Sequence, residues 1–295
     1  MMKIKSSLIG LVTFILIIIE LTIGFGILAI VNIPRALIPI KLFKISLAKF
    51  SNFIGDLTVY GLKLIMLLMH GNNIRVIDDN GAFERDEWYM AMSNHQSWAD
   101  IFVLLVAANY KLPLLKFFMK RELWWIPFVF VANKTLNMPF VNRHSKEDIR
   151  KDPSLRTKDY ENTIKACKRF MRSPSTIFSY AEGTRYTKEK HSDQQSPYNN
   201  LLIPKIGGMA TALSAMPKIK TLVDYSVVYK SEKRDAWSFL CGDMSEVKIL
   251  VKKYEIPEKL KEKNYLKDNQ YREDFKMWIE DIWQQKDINI DKLKL

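Results

Sequence analysis

The run Leu8–Val31, LIGLVTFILIIIELTIGFGILAIV, limits what this chain can fold into more than any other segment. It is twenty-four residues long and carries one charge, Glu20. As a helix it would extend about 36 Å, more than the roughly 30 Å hydrocarbon core of a bilayer. A carboxyl at mid-membrane costs about 3 kcal/mol. The seventeen Leu, Ile, Phe and Val of the run outweigh it, each being favourable by roughly 0.3–0.6 kcal/mol. A secretory signal has a shorter apolar core and a small-residue cleavage site. This run has neither, and it reads as a retained membrane helix.

Lys3 and Lys5 precede the run, and Arg35, Lys41, Lys44 and Lys49 follow it. That bias orients the following domain toward the cytoplasm. A second segment, Phe53–Met69, is apolar but interrupted by Asp56 and Lys63. Its Phe53, Leu57, Leu64, Leu67 and Leu68 share a broad helical face, which suits an interfacial helix or a returning hairpin. A buried core helix fits the same pattern. Residues 1–70 are thus expected to form a membrane anchor, with helices over about 8–31 and 53–69, and residues 71–295 a globular domain. The later runs Ile101–Ala108 and Leu123–Ala132 are too short to span.

Within 71–295 strand and helix patterns alternate. Strands are expected at Glu87–Ser93, Lys116–Met119, Met138–Asn142, Thr176–Ala181, Thr221–Val228 and Val247–Tyr254. Helices are expected at Trp98–Ala108, Arg121–Asn133, Thr157–Met171 and Ile206–Ala215, with an amphipathic C-terminal helix over about 269–285. There Tyr271, Phe275, Trp278, Ile279 and Ile282 form a stripe that reads as packing. The pattern predicts an α/β fold, a mixed sheet covered by helices.

The net charge of +13 points to an anionic partner: nucleic acid, lipid headgroup or phosphorylated metabolite. From Asp243 onward twelve Lys/Arg balance twelve Asp/Glu, so the whole excess precedes that point. The basic residues are scattered, without a helix-turn-helix or an aromatic–basic RNA motif, and this favours a bilayer over nucleic acid. The two cysteines, Cys167 and Cys241, form no disulfide framework and no metal-ligand spacing. No H-E-x-x-H, Walker loop or G-x-G-x-x-G occurs, so neither metal nor bound cofactor is expected.

Chemistry concentrates at Ser93-Asn94-His95-Gln96-Ser97-Trp98-Ala99-Asp100, between a strand and a helix. On a continuous helix His95 and Asp100 would diverge by about 140°. They can meet if Ser97 is the N-cap, His95 lies in the turn above it and Asp100 is the third helical residue. Asp100 would then fix the imidazole of a general base. Ser97-x-x-Asp100 is equally the form of a plain capping box. There is no G-x-S-x-G elbow, so the nucleophile would be a substrate hydroxyl.

Tyr180-Ala181-Glu182-Gly183-Thr184-Arg185 ends a strand. Its glycine permits a tight turn and its Arg and Thr suit a phosphate, although Glu182 and Arg185 would also pass for a surface ion pair. Phe140-Val141-Asn142-Arg143 is another strand ending in Arg, and Leu202-Ile203-Pro204-Lys205 reads as a strand–loop–helix junction.

In this order the blocks resemble the lysophospholipid acyltransferase superfamily, which contains the 1-acylglycerol-3-phosphate acyltransferases. Asn94–Asp100, Phe140–Arg143, Glu182–Arg185 and Ile203-Pro204 are similar to its four motifs, and Lys120-Arg121-Glu122-Leu123 with Ile126-Pro127 to the stretch between the first two. Glu182–Thr187 followed by Lys188–His191 resembles the branch of lysocardiolipin and lysophosphatidylinositol acyltransferases and its bacterial inner-membrane members. Pro139 stands near the place where many members have Gly.

The resemblance implies a glycerolipid acyltransferase fold in a bacterial inner membrane, with its active site facing the cytoplasm. His95, oriented by Asp100, would deprotonate the hydroxyl of a lysophospholipid, foremost 1-acylglycerol-3-phosphate. The oxygen would attack the thioester of acyl-CoA or acyl carrier protein. Arg143, Glu182, Gly183, Thr184, Arg185 and Pro204 would hold the acceptor. A different lysophospholipid acceptor, and a non-catalytic protein that binds anionic lipid, are the alternatives.

Overall fold

The computed structural model describes residues 2–71, 73–78, 83–138, 140–141, 146–244, 246–261 and 265–295. It opens with two long helices, α1 (Met2–Leu37) and α2 (Lys41–His70). Both exceed the apolar runs that predicted them, and α2 begins at Lys41 rather than near Phe53. Its early turns are held by α1: Asn32 Nδ2 donates to Ser51 Oγ at 3.0 Å, and Ala48 and Ser51 are buried. The pair runs antiparallel, with Gly24 against Thr58 so closely that no side chain larger than hydrogen fits there. Both helices are long and apolar enough to cross a membrane, with mean hydropathies of 2.8 and 1.4. Their outer face exposes Ile15, Ile19, Ile23, Ile27, Phe53 and Leu57.

The globular part contains β1 (Ile74–Asp78), β2 (Trp88–Ser93), α3 (Asp100–Ala108), β3 (Leu115–Phe117), β4 (Met119–Lys120), α4 (Pro127–Thr135), β5 (Phe140–Val141), α5 (Lys146–Lys151), α6 (Ser154–Phe170), β6 (Thr176–Tyr180), α7 (Lys188–Asp193), α8 (Gly207–Ala215), β7 (Ile219–Tyr229), α9 (Ala236–Leu240), β8 (Val247–Glu255) and α10 (Asn269–Lys294). Six strands form a mixed sheet in the order β1-β8-β7-β2-β6-β3. All its pairings are parallel except β7–β8. The sheet is mixed α/β, as the alternation predicts.

Several boundaries differ from the sequence reading. The expected strand 116–119 is divided, since β3 joins the main sheet while β4 pairs with β5. The expected helix 121–133 becomes a 3₁₀ turn (Arg121–Leu123) followed by α4, because Pro127 occupies a first-turn position, where its missing N–H costs nothing. β1, α5, α7 and α9 were not anticipated: each is only five or six residues long, and α7 carries no apolar residue.

Alternation along β2 sends Met90 and Met92 to one face and Tyr89 and Ala91 to the other. On the first face α6, α8 and α10 bury Phe170, Leu213, Phe275 and Trp283; on the second lie Val103, Leu104 and Phe239. The stripe of α10 is core: Tyr271, Phe275, Ile279 and Ile282 are buried. The helix is fastened to β7 by a buried ion pair, Lys286 Nζ to Asp224 Oδ1 at 2.7 Å, with a second bond to the Tyr225 carbonyl at 2.6 Å. A third cluster, Leu28, Ile54, Val59 and Leu136, joins α1 and α2 to α4.

Candidate active site

Parallel strands deliver their carboxyl ends to one edge of a sheet, where loops are free to carry chemistry. Here Ser93 of β2 ends beside Tyr180 of β6, while β7 runs on past Tyr225, the partner of Ser93, to Tyr229. Asn94 then clips the β2 exit to β7: its Nδ2 donates to the Val227 carbonyl at 2.9 Å, and its Oδ1 accepts from Val227 N at 2.8 Å. This sets the starting point of the next residue, His95.

His95 Nδ1 lies 2.8 Å from Asp100 Oδ2. The same oxygen accepts from the backbone N–H of Gln96 at 2.7 Å and of Ser97 at 3.0 Å. Asp100 Oδ1 accepts from the Tyr229 hydroxyl at 2.6 Å. The carboxylate is fully buried, and four donors converge on it. A carboxylate at Nδ1 places the Nδ1–H there and leaves the Nε2 lone pair for a substrate. Among the described residues none bonds Nε2. The Tyr180 ring stacks on the imidazole with centroids 3.8 Å apart and planes 12° from parallel, fixing its tilt.

The helix start departs from the expected capping box. α3 begins at Asp100, with Ala99 rather than Ser97 at its N-cap. Ser97 Oγ accepts from Ala99 N at 3.2 Å and donates to the Arg234 carbonyl at 2.8 Å, tying the turn to the segment after β7. The reaching-back half of the box survives, since Asp100 does cap Ser97 N. One oxygen, Oδ2, meets both the N–H groups of the turn and His95 Nδ1, so the cap and the contact with the imidazole coexist.

Glu182 is also fully buried, and burial pushes its carboxyl up to about 7. Its Oε2 accepts from His95 N at 2.7 Å and its Oε1 from Leu202 N at 3.0 Å. It therefore staples the His95 turn to the strand-like segment before Pro204, and it makes no surface ion pair with Arg185. Tyr186 N donates to the His95 carbonyl at 2.7 Å, closing the turn from the other side. Gly183 has φ +67°, and a side chain there would press on Lys205. The Arg185 guanidinium lies over the Trp98 ring at 4.8 Å, at the rim of the same site.

A family model described as Acyltransferase matches residues 74–230, more than half of the chain. The chain belongs to the acyltransferase family. The crystal structure of the 1-acyl-sn-glycerophosphate (LPA) acyltransferase, PlsC, from Thermotoga maritima is similar to it with a TM-score of 0.58 at 14% identity. The match covers 100% of this chain and 99% of that one. That likeness is one of fold, and it takes in the two N-terminal helices. No curated protein sequence matches the chain.

In this acyltransferase, then, the expected site residues fall as follows. His95, Asp100, Glu182, Gly183 and Arg185 gather at the carboxyl edge of the sheet. Thr184 Oγ1 accepts from Lys190 Nζ at 2.8 Å in the next turn. Pro204 is half-buried beside Lys205, whose N–H donates to the Ala181 carbonyl at 2.6 Å. Arg143 lies outside the described residues. Tyr180 and Tyr229 were missed, because no local spacing links them to His95. Among the described residues no group of three or more His, Cys, Asp or Glu could hold a metal ion.

Proposed function

We propose that the protein transfers a fatty acyl group from acyl-CoA or acyl carrier protein to the free hydroxyl of a lysophospholipid, foremost 1-acylglycerol-3-phosphate. The observation that carries this reading is the His95–Asp100 pair, 2.8 Å apart, with no described residue bonded to Nε2. Nε2 takes the proton of the acceptor hydroxyl as its oxygen attacks the thioester carbon. The C–S bond breaks, and the proton returns from the imidazolium to the thiolate. Arg185, Thr184 and the main chain around Gly183, with Arg143 and Pro204, hold the acceptor. Glu182 acts through the backbone that it fixes, since both its oxygens are taken. The run Glu182–Thr187 supports the branch of lysocardiolipin and lysophosphatidylinositol acyltransferases.

The anchor lies along the membrane surface rather than across it. Near its start α1 packs against the globular domain where Gly10 meets Cys241 and Trp237. Near its end the Arg35 guanidinium donates to the Thr135 carbonyl and to Asn137 Oδ1, both at 2.8 Å. These points are about 38 Å apart along the helix, longer than the hydrocarbon core. A vertical crossing would drag the polar domain through the bilayer. A helix pair seated in one leaflet, with its exposed Ile and Leu face in lipid, leaves the domain in water. In our reading that water is the cytoplasm of a bacterium and the leaflet belongs to its inner membrane.

The test is a panel of lysophospholipids incubated with the purified protein and isotope-labelled acyl-CoA or acyl carrier protein, read as product lipid by mass. Labelled phosphatidic acid from 1-acylglycerol-3-phosphate supports the reading. Vesicle binding with no acylated product from any acceptor and either donor overturns it in favour of a lipid-binding protein.

A further inference from the structure

A cavity of about 530 Å³ opens between α6, the 3₁₀ turn at Arg121–Leu123, α4 and β5. Arg121, Lys165 and Arg169 line it, together with Trp124, Asn133 and Asn162. Lys165 and Arg169 are one helical turn apart on α6 and so present their charges on one side. Several exposed lysines elsewhere are matched with carboxylates, as in Lys151–Glu147 and Lys230–Glu246. None of the three cations at the cavity makes an ion pair with a described residue. Three like charges around one hollow repel one another, and an anion between them relieves that repulsion.

The surroundings indicate where the anion comes from. Trp124 lines the cavity and is 61% exposed; Trp125 beside it is 69% exposed. Both precede α4, which packs on α1 through Phe128 and Phe25 with ring centroids 5.6 Å apart. Leu123 and Phe130 are exposed in the same stretch. The apolar surface of the anchor thus continues over α4 and stops at two tryptophans beside three cations. Exposed Trp next to Arg and Lys is the composition of a surface at headgroup depth.

We propose that this cavity, which none of His95, Asp100, Glu182, Thr184 or Arg185 lines, binds the phosphate headgroup of an anionic phospholipid of the bilayer and so seats the enzyme on charged membrane. Arg121, Lys165 and Arg169 hold the phosphate oxygens, the two arginines by paired N–H donors. Trp124 covers the glycerol end. The proposal rests on the interfacial anchor described above.

The experiment compares the full chain with its Arg121→Gln/Lys165→Gln/Arg169→Gln variant for co-sedimentation with phosphatidylcholine vesicles, with and without phosphatidylglycerol. All three side chains are exposed, and a thermal melt checks that the variant is folded. Lys165→Gln alone is the fallback. The wild type is expected to prefer the anionic vesicles, and the triple variant to lose that preference by a factor on the order of a hundred, about fivefold per cation. Its binding to neutral vesicles and its KM for detergent-dispersed lysophospholipid should be unchanged. An anionic preference that survives the triple change overturns the proposal. A raised KM overturns it too, since the cavity would then belong to the acceptor site. If millimolar inorganic phosphate abolishes the preference at constant ionic strength, the ligand is free phosphate and not lipid. Failure of the wild type to bind any vesicle would refute the membrane reading itself.

Discussion

Replacing Asp100 by Asn separates orientation from charge, because the donors divide unevenly between its two oxygens. His95 Nδ1, Gln96 N and Ser97 N all point at Oδ2. An amide oxygen there can still accept from all three, so the turn, the cap and the imidazole tautomer persist. The amide NH₂ would face the Tyr229 hydroxyl oxygen, which can accept once its proton turns away. What disappears is the negative charge beside the imidazolium that forms during proton transfer. Hydrogen bonds to charged groups are worth about 1.5–3 kcal/mol against about 0.5–1.5 kcal/mol for neutral ones. The difference is about 1–2 kcal/mol, or a five- to thirtyfold loss in kcat. A cap substitution costs roughly 1 kcal/mol of stability. Asp100→Ala strands four buried donors instead and should unfold far more readily. The assay is thiol release from acyl-CoA at saturating acceptor, divided by the folded fraction from a denaturant titration of each variant. Asp100→Asn with unchanged turnover per folded molecule, and a stability loss equal to that of Asp100→Ala, would refute the orienting role and leave a cap alone.

Other expectations follow from neighbouring groups. Tyr229→Phe removes the donor on Asp100 Oδ1 and should cost about 1.5–3 kcal/mol of stability and lower kcat without changing acceptor KM, measured by denaturant titration and initial rates. Lys286→Met leaves Asp224 buried without its cation and should destabilise by about 3–5 kcal/mol; adding Asp224→Leu should recover most of that loss in a thermal melt. Lys116 is fully buried in β3 without a hydrogen-bond partner, and burial, with Arg35 nearby, lowers its ammonium to about 7. The unfolded chain binds that proton up to about 10.5, so stability should rise with pH between about 7 and 10.5, by up to roughly 1.4 kcal/mol per unit. Urea titrations at pH 7 and 9 should show this rise in the wild type and not in Lys116→Met; equal slopes would reject it.

The sequence and the structure agree where chemistry is local. Five residues of spacing brought His95 and Asp100 under suspicion because the strand–turn–helix context lets them meet. The strand assignments of β2, β6, β7 and β8 held because β-branched and alternating residues report burial directly. What stayed hidden depends on contacts distant in sequence. Tyr229 reaches Asp100 across 129 residues, and Tyr180 stacks on His95 from the neighbouring parallel strand β6, with the elements from α3 to α6 intervening in the chain. Glu182 reads as half of a surface ion pair until Leu202 N and His95 N are seen to take both of its oxygens. The early turns of α2 show the same effect in the anchor: Lys41–Lys49 is only weakly apolar, and it is the packing of Ala48 and Ser51 on α1 that makes it helix.

The central claim, a hydroxyl activated by His95 Nε2 for attack on an acyl thioester, is tested most directly by thiol release from acyl-CoA. Wild type and His95→Ala are compared with and without 1-acylglycerol-3-phosphate. Release by the wild type only when the acceptor is present, and a fall of at least about a hundredfold in folded His95→Ala, is the expected result. Full turnover by folded His95→Ala, or release that ignores the acceptor, would contradict it.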